Sequence, residues 1–184
     1  MKVQLSFRAT CVAALIVCST AGFTQSAGSP ALPLPEYGTT QDIAGAANRP
    51  DPSLNYKVVF DVVNSSGTKE KNGQLVGVAR YVNPLAQHGV PANRRNIAVV
   101  IHGPATSLIM TDSAFATRTG AASNPNTQLV RELKAAGVDI RVCGQAARGM
   151  NITREMTMPE ITTDLSGGIS LINFQTRGYV KAGG

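Results

Sequence analysis

Cysteine and histidine are the residue types in this 184-residue chain best suited to nucleophilic and proton-transfer chemistry. Cys143 ends the apolar run VDIRVC, and Gly144 and Gln145 begin a segment with a helical pattern. Backbone N–H groups and the helix dipole at such a junction favour the thiolate, which is the reactive form of cysteine. Gly144 leaves room for close backbone approach, and Arg148 adds a positive charge. Cys143 is therefore a candidate nucleophile, with a small buried hydrophobic residue as the alternative interpretation.

His102 is the candidate proton carrier, because histidine takes up and releases protons near neutral pH. It follows the apolar run NIAVVI and precedes Gly103. Ligands of open parallel sheets bind outside the carboxyl ends of the strands, so parallel strands would put His102 and Cys143 on one edge. Whether the two side chains touch depends on the strand order, which the sequence leaves open. The alternative for His102 is a histidine bonded only to backbone, and His88, which precedes Gly89, is interpreted as a helix cap.

The elements that must position these residues follow from hydrophobic spacing. Apolar runs predict strands at 56–63, 96–101 and 138–143, with short strands at 161–165 and 179–180. Helical spacing predicts helices at 71–88, 104–118, 125–136, 145–150 and 166–177. Apolar strands that alternate with helices are typical of a parallel sheet covered on both faces. We expect an α/β fold, a three-layer α/β/α sandwich with a mainly parallel sheet of about five strands.

Proline and asparagine mark local features of these helices. Pro84 lies inside the first helical pattern and is expected to kink or split that helix. Asn124 is expected to cap the third helix, with Pro125 at its first position. Either Asp164 or Ser166 is expected to cap the last helix.

Three regions of the chain differ in composition. Residues 1–21 begin with Lys2 and Arg8, continue with the apolar run ATCVAALIVC and end in small residues, as a cleavable signal peptide does. The apolar run is too short for a spanning helix, which needs about 20 apolar residues. Residues 22–54 are rich in Pro, Gly, Ser and Ala and are predicted to be a tether, part of which can lie along the domain or a neighbouring subunit. Residues 55–184 are expected to form one α/β domain.

Export limits what the mature protein can be, and we expect it in the periplasm or outside the cell. Loss of Lys2 and Arg8, with no acidic residue, lowers the net charge from +6 to +4. The remaining cations form no stripe, so we expect no nucleic-acid binding. No other stretch is long and apolar enough to span a bilayer, so we expect no stable membrane insertion. Cys143 would be the one cysteine left, which excludes an internal disulfide. A leftover cysteine in a secreted protein indicates either a reactive thiol or a link between subunits.

Motifs for cofactors and metals are missing from the sequence. No glycine-rich nucleotide loop follows a strand, and neither G-x-S-x-G nor C-x-x-C is present. The widely spaced cysteine and histidines do not make a zinc site. We therefore expect no cofactor and no bound metal.

Four segments of the chain resemble the DsrE/DsrF-like family of small α/β proteins, in particular its exported branch. The segments are IAVVIHGPA at 97–105, NPNTQLVRELKAAGVDIRVCGQ at 124–145, ARGM at 147–150 and FQTRGYV at 174–180. The resemblance covers nearly all of the folded part, and it implies that Cys143 carries a persulfide. Arg148 and Gly149 match an Arg-Gly that follows the cysteine in the sulfur-relay members. The resemblance also implies a homo-oligomer, a trimer or hexamer, and a sulfur donor or acceptor protein as partner.

Two hypotheses follow for the function. In the first, this is an exported sulfur carrier or sulfurtransferase that acts through a persulfide on Cys143, with His102, Gly103, Gly144, Gln145 and Arg148 shaping the site. In the second, it is a non-enzymatic oligomeric module that binds a small anion or an envelope protein, and Cys143 is structural.

Overall fold

The computed structural model describes residues 31–38 and 40–182. Within them, one sheet of five parallel strands has the order β4-β3-β2-β1-β5. The strands are β1 (Tyr56–Val62), β2 (Arg95–Ile101), β3 (Asp139–Cys143), β4 (Thr162–Asp164) and β5 (Val180–Ala182). The α-helices are α1 (Gly73–Gln87), α2 (Asp112–Thr119), α3 (Thr127–Ala135), α4 (Gly144–Gly149) and α5 (Gly167–Thr176).

The sheet buries both faces because side chains alternate across each strand. Val58 points into the larger core, which includes Leu75 of α1 and the buried face of α3. Its neighbour Val59 points to the opposite face, where Phe174 of α5 packs against it. Helices therefore cover the parallel sheet on both faces, which confirms the expected three-layer α/β/α sandwich.

Helix α1 runs unbroken from Gly73 to Gln87, so Pro84 does not split it. Proline removes one N–H from a helix and clashes with the carbonyl four residues earlier. Pro84 lies in the last turn, where that loss affects one hydrogen bond close to the end of the helix. His88 ends the helix, and its Nδ1 lies 2.9 Å from the Pro84 carbonyl oxygen, which confirms His88 as a cap.

The segment predicted as one helix over 104–118 is two elements. Gly103–Ile109 forms 3-10 turns, and α2 begins after Thr111, whose side chain accepts the Ala114 N–H. Met110 between them is extended, because it forms an antiparallel bridge with Thr157. A local helical pattern cannot reveal such a long-range bridge.

Asn124 is not the cap of α3, as expected from the sequence, because the helix begins at Thr127 after Asn126. The Asn124 side chain instead accepts the N–H of Asn126 and donates to the carbonyls of Leu108 and Met110. It thus ties the loop before α3 to the 3-10 turns. Ser166 precedes α5 as its N-cap residue, without a side-chain hydrogen bond to the helix.

Residues 34–38 of the predicted tether pack on α1. Leu34 and Tyr37 are buried in the main core. The fully buried Asn83 side chain accepts the Leu34 N–H and donates to the carbonyls of Leu34 and Gly38. Lys71 lies over the Tyr37 ring at 4.7 Å from its centroid.

The predicted signal peptide, residues 1–21, lies outside the described residues. Among the helices that the structure does describe, none has both the length and the apolar character needed to cross a membrane.

Candidate functional site

His102 and Cys143 are neighbours at the carboxyl edge of the sheet. Strands β2 and β3 are adjacent, and the register that pairs Ile101 with Val142 places His102 beside Cys143. Gly167, the first residue of α5, lies against both. A Cβ atom at Gly167 would be 3.0 Å from His102 Cβ and 3.3 Å from Cys143 Cβ. The strand order thus brings together the two residues that were expected on one edge.

Cys143 is buried, with 7% of its surface exposed. It is the N-cap residue of α4, and its Sγ accepts the backbone N–H of Ala146 at 3.4 Å. A helix N-terminus favours negative charge, so the same N–H would stabilise a thiolate or a persulfide anion at this sulfur. The contact also serves a neutral thiol as an ordinary cap.

Gly144 is required by the close approach of β4. A Cβ atom at this position would lie 2.8 Å from the carbonyl oxygen of Asp164, a backbone atom that cannot rotate away. The absence of a side chain therefore lets α4 begin directly beside the last strand of the sheet. Gly103 lies after the end of β2 and is the first residue of the 3-10 turns that follow His102.

Asp61 belongs to the site, although the sequence analysis did not single it out. Its Oδ1 lies 2.7 Å from His102 Nε2, and its Oδ2 lies 2.6 Å from Lys181 Nζ. Burial raises the pKa of the Asp61 carboxyl, but the hydrogen bonds from Lys181 and His102 outweigh burial and hold the pKa below its usual range. An acidic residue inside the apolar run YKVVFDVV was the available signal, since a buried carboxylate needs a partner.

A second cluster of polar side chains lies on the β4 side of Cys143. Arg141 lies 2.9 Å from Asp139 Oδ2 and 3.1 Å from Asp164 Oδ1, and the Ser170 hydroxyl donates to Asp164 Oδ2 at 2.6 Å. The bond to Asp139 and the bond to Asp164 both raise the pKa of the Arg141 guanidinium. Because two carboxylates already pair with Arg141, it is not a free cation for an anionic ligand.

Arg148 and Gln145 are exposed on α4 and are not part of the group of side chains around Cys143. Arg148 lines a pocket of about 460 Å³ together with Arg154, Thr157 and Thr163, and neither Cys143 nor His102 lines it. Thr163 pairs with Val142, whose side chain points into the main core, so the pocket opens beside the face of the sheet opposite Cys143. Among the residues that the structure covers, no group of three or more His, Cys, Asp or Glu side chains could hold a metal ion.

Comparison with known proteins identifies one family. The model of the DsrE/DsrF-like family matches residues 57–181. No curated protein matches the chain.

Among solved structures, the chain is similar to a protein of unknown function from Methanobacterium thermoautotrophicum, with 18% identity and a TM-score of 0.46. That match covers 70% of this chain and 99% of the other. It is also similar to the ychN protein from E. coli, with 15% identity and a TM-score of 0.46, over 68% of this chain and 96% of that one.

Proposed function

The chain belongs to the DsrE/DsrF-like family, and on that basis we propose that it is a sulfur carrier or sulfurtransferase that holds sulfane sulfur as a persulfide on Cys143. The observation that supports this proposal is the position of Cys143 at a strand end, beside His102 and in contact with the Ala146 N–H of α4. The family membership supports a role related to sulfur relay. The persulfide and its place on Cys143 are our inference.

The transfer follows the chemistry of thiol–disulfide exchange. The Cys143 thiolate attacks the outer sulfur of a donor persulfide, R–S–SH. A bond forms between Sγ and that sulfur, the donor S–S bond breaks, and R–S⁻ leaves. The thiol proton of Cys143 ends on the leaving thiolate, so the products are Cys143–S–SH and R–SH. Sγ is oxidised to the same extent as the sulfur bonded to R is reduced, so no other oxidant is needed.

The test is persulfide loading followed by intact mass. The full chain is made with Cys11→Ser and Cys18→Ser, so that Cys143 is its one thiol, and is incubated with a cysteine persulfide donor. We expect a mass gain of one sulfur that disappears on reduction. The matched control adds Cys143→Ser. No gain in the first protein, or an equal gain in the control, contradicts the proposal.

The alternative proposal is a non-enzymatic module that binds a small anion or an envelope protein, with Cys143 as a packing residue. The observation that favours it is the 7% exposure of Cys143. Titration with a thiol reagent separates the two proposals. A Cys143 thiol that reacts only after unfolding supports the module, and a thiol that reacts in the native protein supports the carrier.

We further propose that the protein is exported and acts as a homo-oligomer, a trimer or hexamer. Export rests on the residue pattern of 1–21, and N-terminal sequencing of protein recovered from the cell envelope tests it. A mature chain that still begins at residue 1 contradicts cleavage. Since Cys143 is buried, we do not expect it to link subunits, so gels run with and without reductant should look alike.

A further inference from the structure

The pocket of about 460 Å³ that Arg148 lines opens beside the face of the sheet opposite Cys143. Its residues come from α4, the loop after α4 and the edge strand β4. Sites for small molecules commonly have volumes of about 300–1,000 Å³, so this pocket has a suitable size. Ala147 and Ile152, which are both buried, give it an apolar lining, and Arg148 and Arg154 bring two positive charges.

The two arginines of this pocket have no carboxylate to balance them. Among the described residues, no Asp or Glu lines the pocket, and neither Arg148 nor Arg154 forms an ion pair. Arg141, by contrast, is paired with two aspartates. Glu155 follows Arg154 in the chain, but it lines a different pocket. A guanidinium without a partner favours a carboxylate or phosphate ligand, which it can bind through two parallel hydrogen bonds.

Backbone carbonyls hold Arg154 in place without neutralising its charge. Its Nη1 donates to the Met158 carbonyl oxygen at 3.2 Å, and its Nη2 donates to the Pro159 carbonyl oxygen at 3.1 Å. A guanidinium has five N–H donors, so donors remain for a ligand. A side chain that is already fixed loses less conformational entropy when a ligand binds. Arg154 is therefore a cation oriented before any ligand arrives.

Asn151 adds uncharged donors to the same pocket. Its φ of 53° is the one positive φ among the non-glycine residues that the structure describes, and asparagine tolerates this left-handed region. Its backbone N–H donates to the Arg148 carbonyl, which turns the chain at the end of α4. Both side chains line the pocket after this turn. The amide of Asn151 carries two N–H donors, which suit the remaining oxygens of an anion.

We propose that this pocket binds a small organic dianion, a phosphate monoester or a dicarboxylate, through Arg148 and Arg154. Two guanidinium groups fit two negative charges, and the apolar lining and the volume fit an organic body rather than a bare inorganic ion. The inference goes beyond the sulfur-carrier proposal. It gives a place and a chemical class to the small anion of the alternative proposal, and it holds whether or not Cys143 carries sulfur.

The test is isothermal titration calorimetry of the full chain at neutral pH and constant ionic strength. The organic probes are phenyl phosphate and phthalate, which share the double charge and differ in the head group. Inorganic phosphate carries the charge without the organic body. We expect saturable binding of at least one organic probe, and we expect inorganic phosphate to bind more weakly than that probe.

Arg148→Gln locates the binding, because it removes the charge and keeps a polar side chain of similar length. We expect the Kd of the bound probe to rise at least about tenfold, the low end for the loss of a hydrogen bond between charged groups. The matched control is Arg80→Gln, which removes an exposed arginine from α1 that forms no ion pair among the described residues. Its Kd should equal that of the wild type.

Thr163→Asp is the second variant, because Arg154→Gln would also release the carbonyls of Met158 and Pro159. Thr163 is exposed on β4 and lines the pocket, so the new carboxylate should repel the anion and raise the Kd. Absence of saturable binding by both organic probes overturns the inference. So does inorganic phosphate that binds as tightly as they do, or a Kd that changes equally in Arg148→Gln and Arg80→Gln. The titration uses no sulfur donor, so its failure leaves persulfide loading untouched, and a failure of loading leaves the titration untouched.

Discussion

Gly167 is the residue on which the geometry of the site depends most directly. Its missing side chain lets the start of α5 lie against both His102 and Cys143. Both contacts involve atoms at or next to the backbone, which cannot swing away as the end of a long side chain would. A larger residue at this position must move the helix or one of the two strands.

Gly167→Ala should therefore destabilise the protein and disturb the thiol. Overpacking of a tight contact typically costs about 1–3 kcal/mol, and urea unfolding measures the loss. Gly168→Ala is the matched control, because a Cβ there would meet only Ser166 Oγ, at 3.9 Å. Alanine also favours a helix over glycine by about 1 kcal/mol, so the control should be neutral or slightly stabilising. Equal losses in the two variants would contradict the contact.

The Asp61 carboxylate should make stability depend on pH in a defined direction. Its pKa is lowered in the folded protein, so the unfolded state binds the proton more readily. The contribution is fully present above the ordinary aspartate pKa of about 3.9 and is lost as the pH falls through the lower folded value. The difference in unfolding free energy between wild type and Asp61→Asn should thus be largest near neutral pH and shrink below about pH 4. A difference that stays constant down to about pH 2 contradicts this origin.

At the level of helices and strands, hydrogen bonds between distant segments set where elements end and what packs on them. Met110 interrupts the predicted helix because of its bridge to Thr157. Asn83 binds residues 34–38 from the middle of α1. In both cases the partner lies more than 40 residues away in the sequence.

Asn83→Ala should release the segment at 31–38 from α1. The substitution leaves the Leu34 N–H without its partner and removes one donor from the Leu34 carbonyl, which keeps the Tyr37 N–H. A buried polar group left unsatisfied costs about 1–3 kcal/mol. We expect a lower unfolding free energy and faster amide exchange in peptides covering this segment. Gln87→Ala is the control, since Gln87 makes only exposed bonds to Thr40, and surface changes usually cost less than about 0.5 kcal/mol. Unchanged exchange in Asn83→Ala would show that the segment is held by Leu34 and Tyr37 alone.

Considered as a whole, the molecule covers the two faces of its sheet unequally. Several helices pack on the larger core, whereas α5 carries the apolar contacts of the smaller one. Leu165, Ile169 and Ile172 follow each other at helical spacing around α5 and are 70%, 50% and 63% exposed. We expect the proposed homo-oligomer to form through this exposed apolar stripe.

Ile172→Lys should weaken that assembly, because it places a charge in an apolar interface. Sedimentation velocity or light scattering after gel filtration should show a smaller species than wild type. Ile43→Lys is the matched control, since Ile43 is 69% exposed outside α5. A wild-type protein that is already monomeric, or an Ile172→Lys protein of unchanged size, would contradict the use of this stripe.

The amino-acid sequence contained the fold class, the approximate strands and helices, and the placing of Cys143 and His102 at two strand ends. These features arise from local spacing of apolar residues and from chain breakers, which act over a few neighbouring residues. Strand order, the Asp61–His102–Lys181 contacts, the burial of Cys143 and the placing of Arg148 beside the opposite face arise from contacts between segments far apart in the chain. No local pattern encodes which distant strands pair, so the partner of His102 became visible only when β1, β2 and β5 were packed side by side.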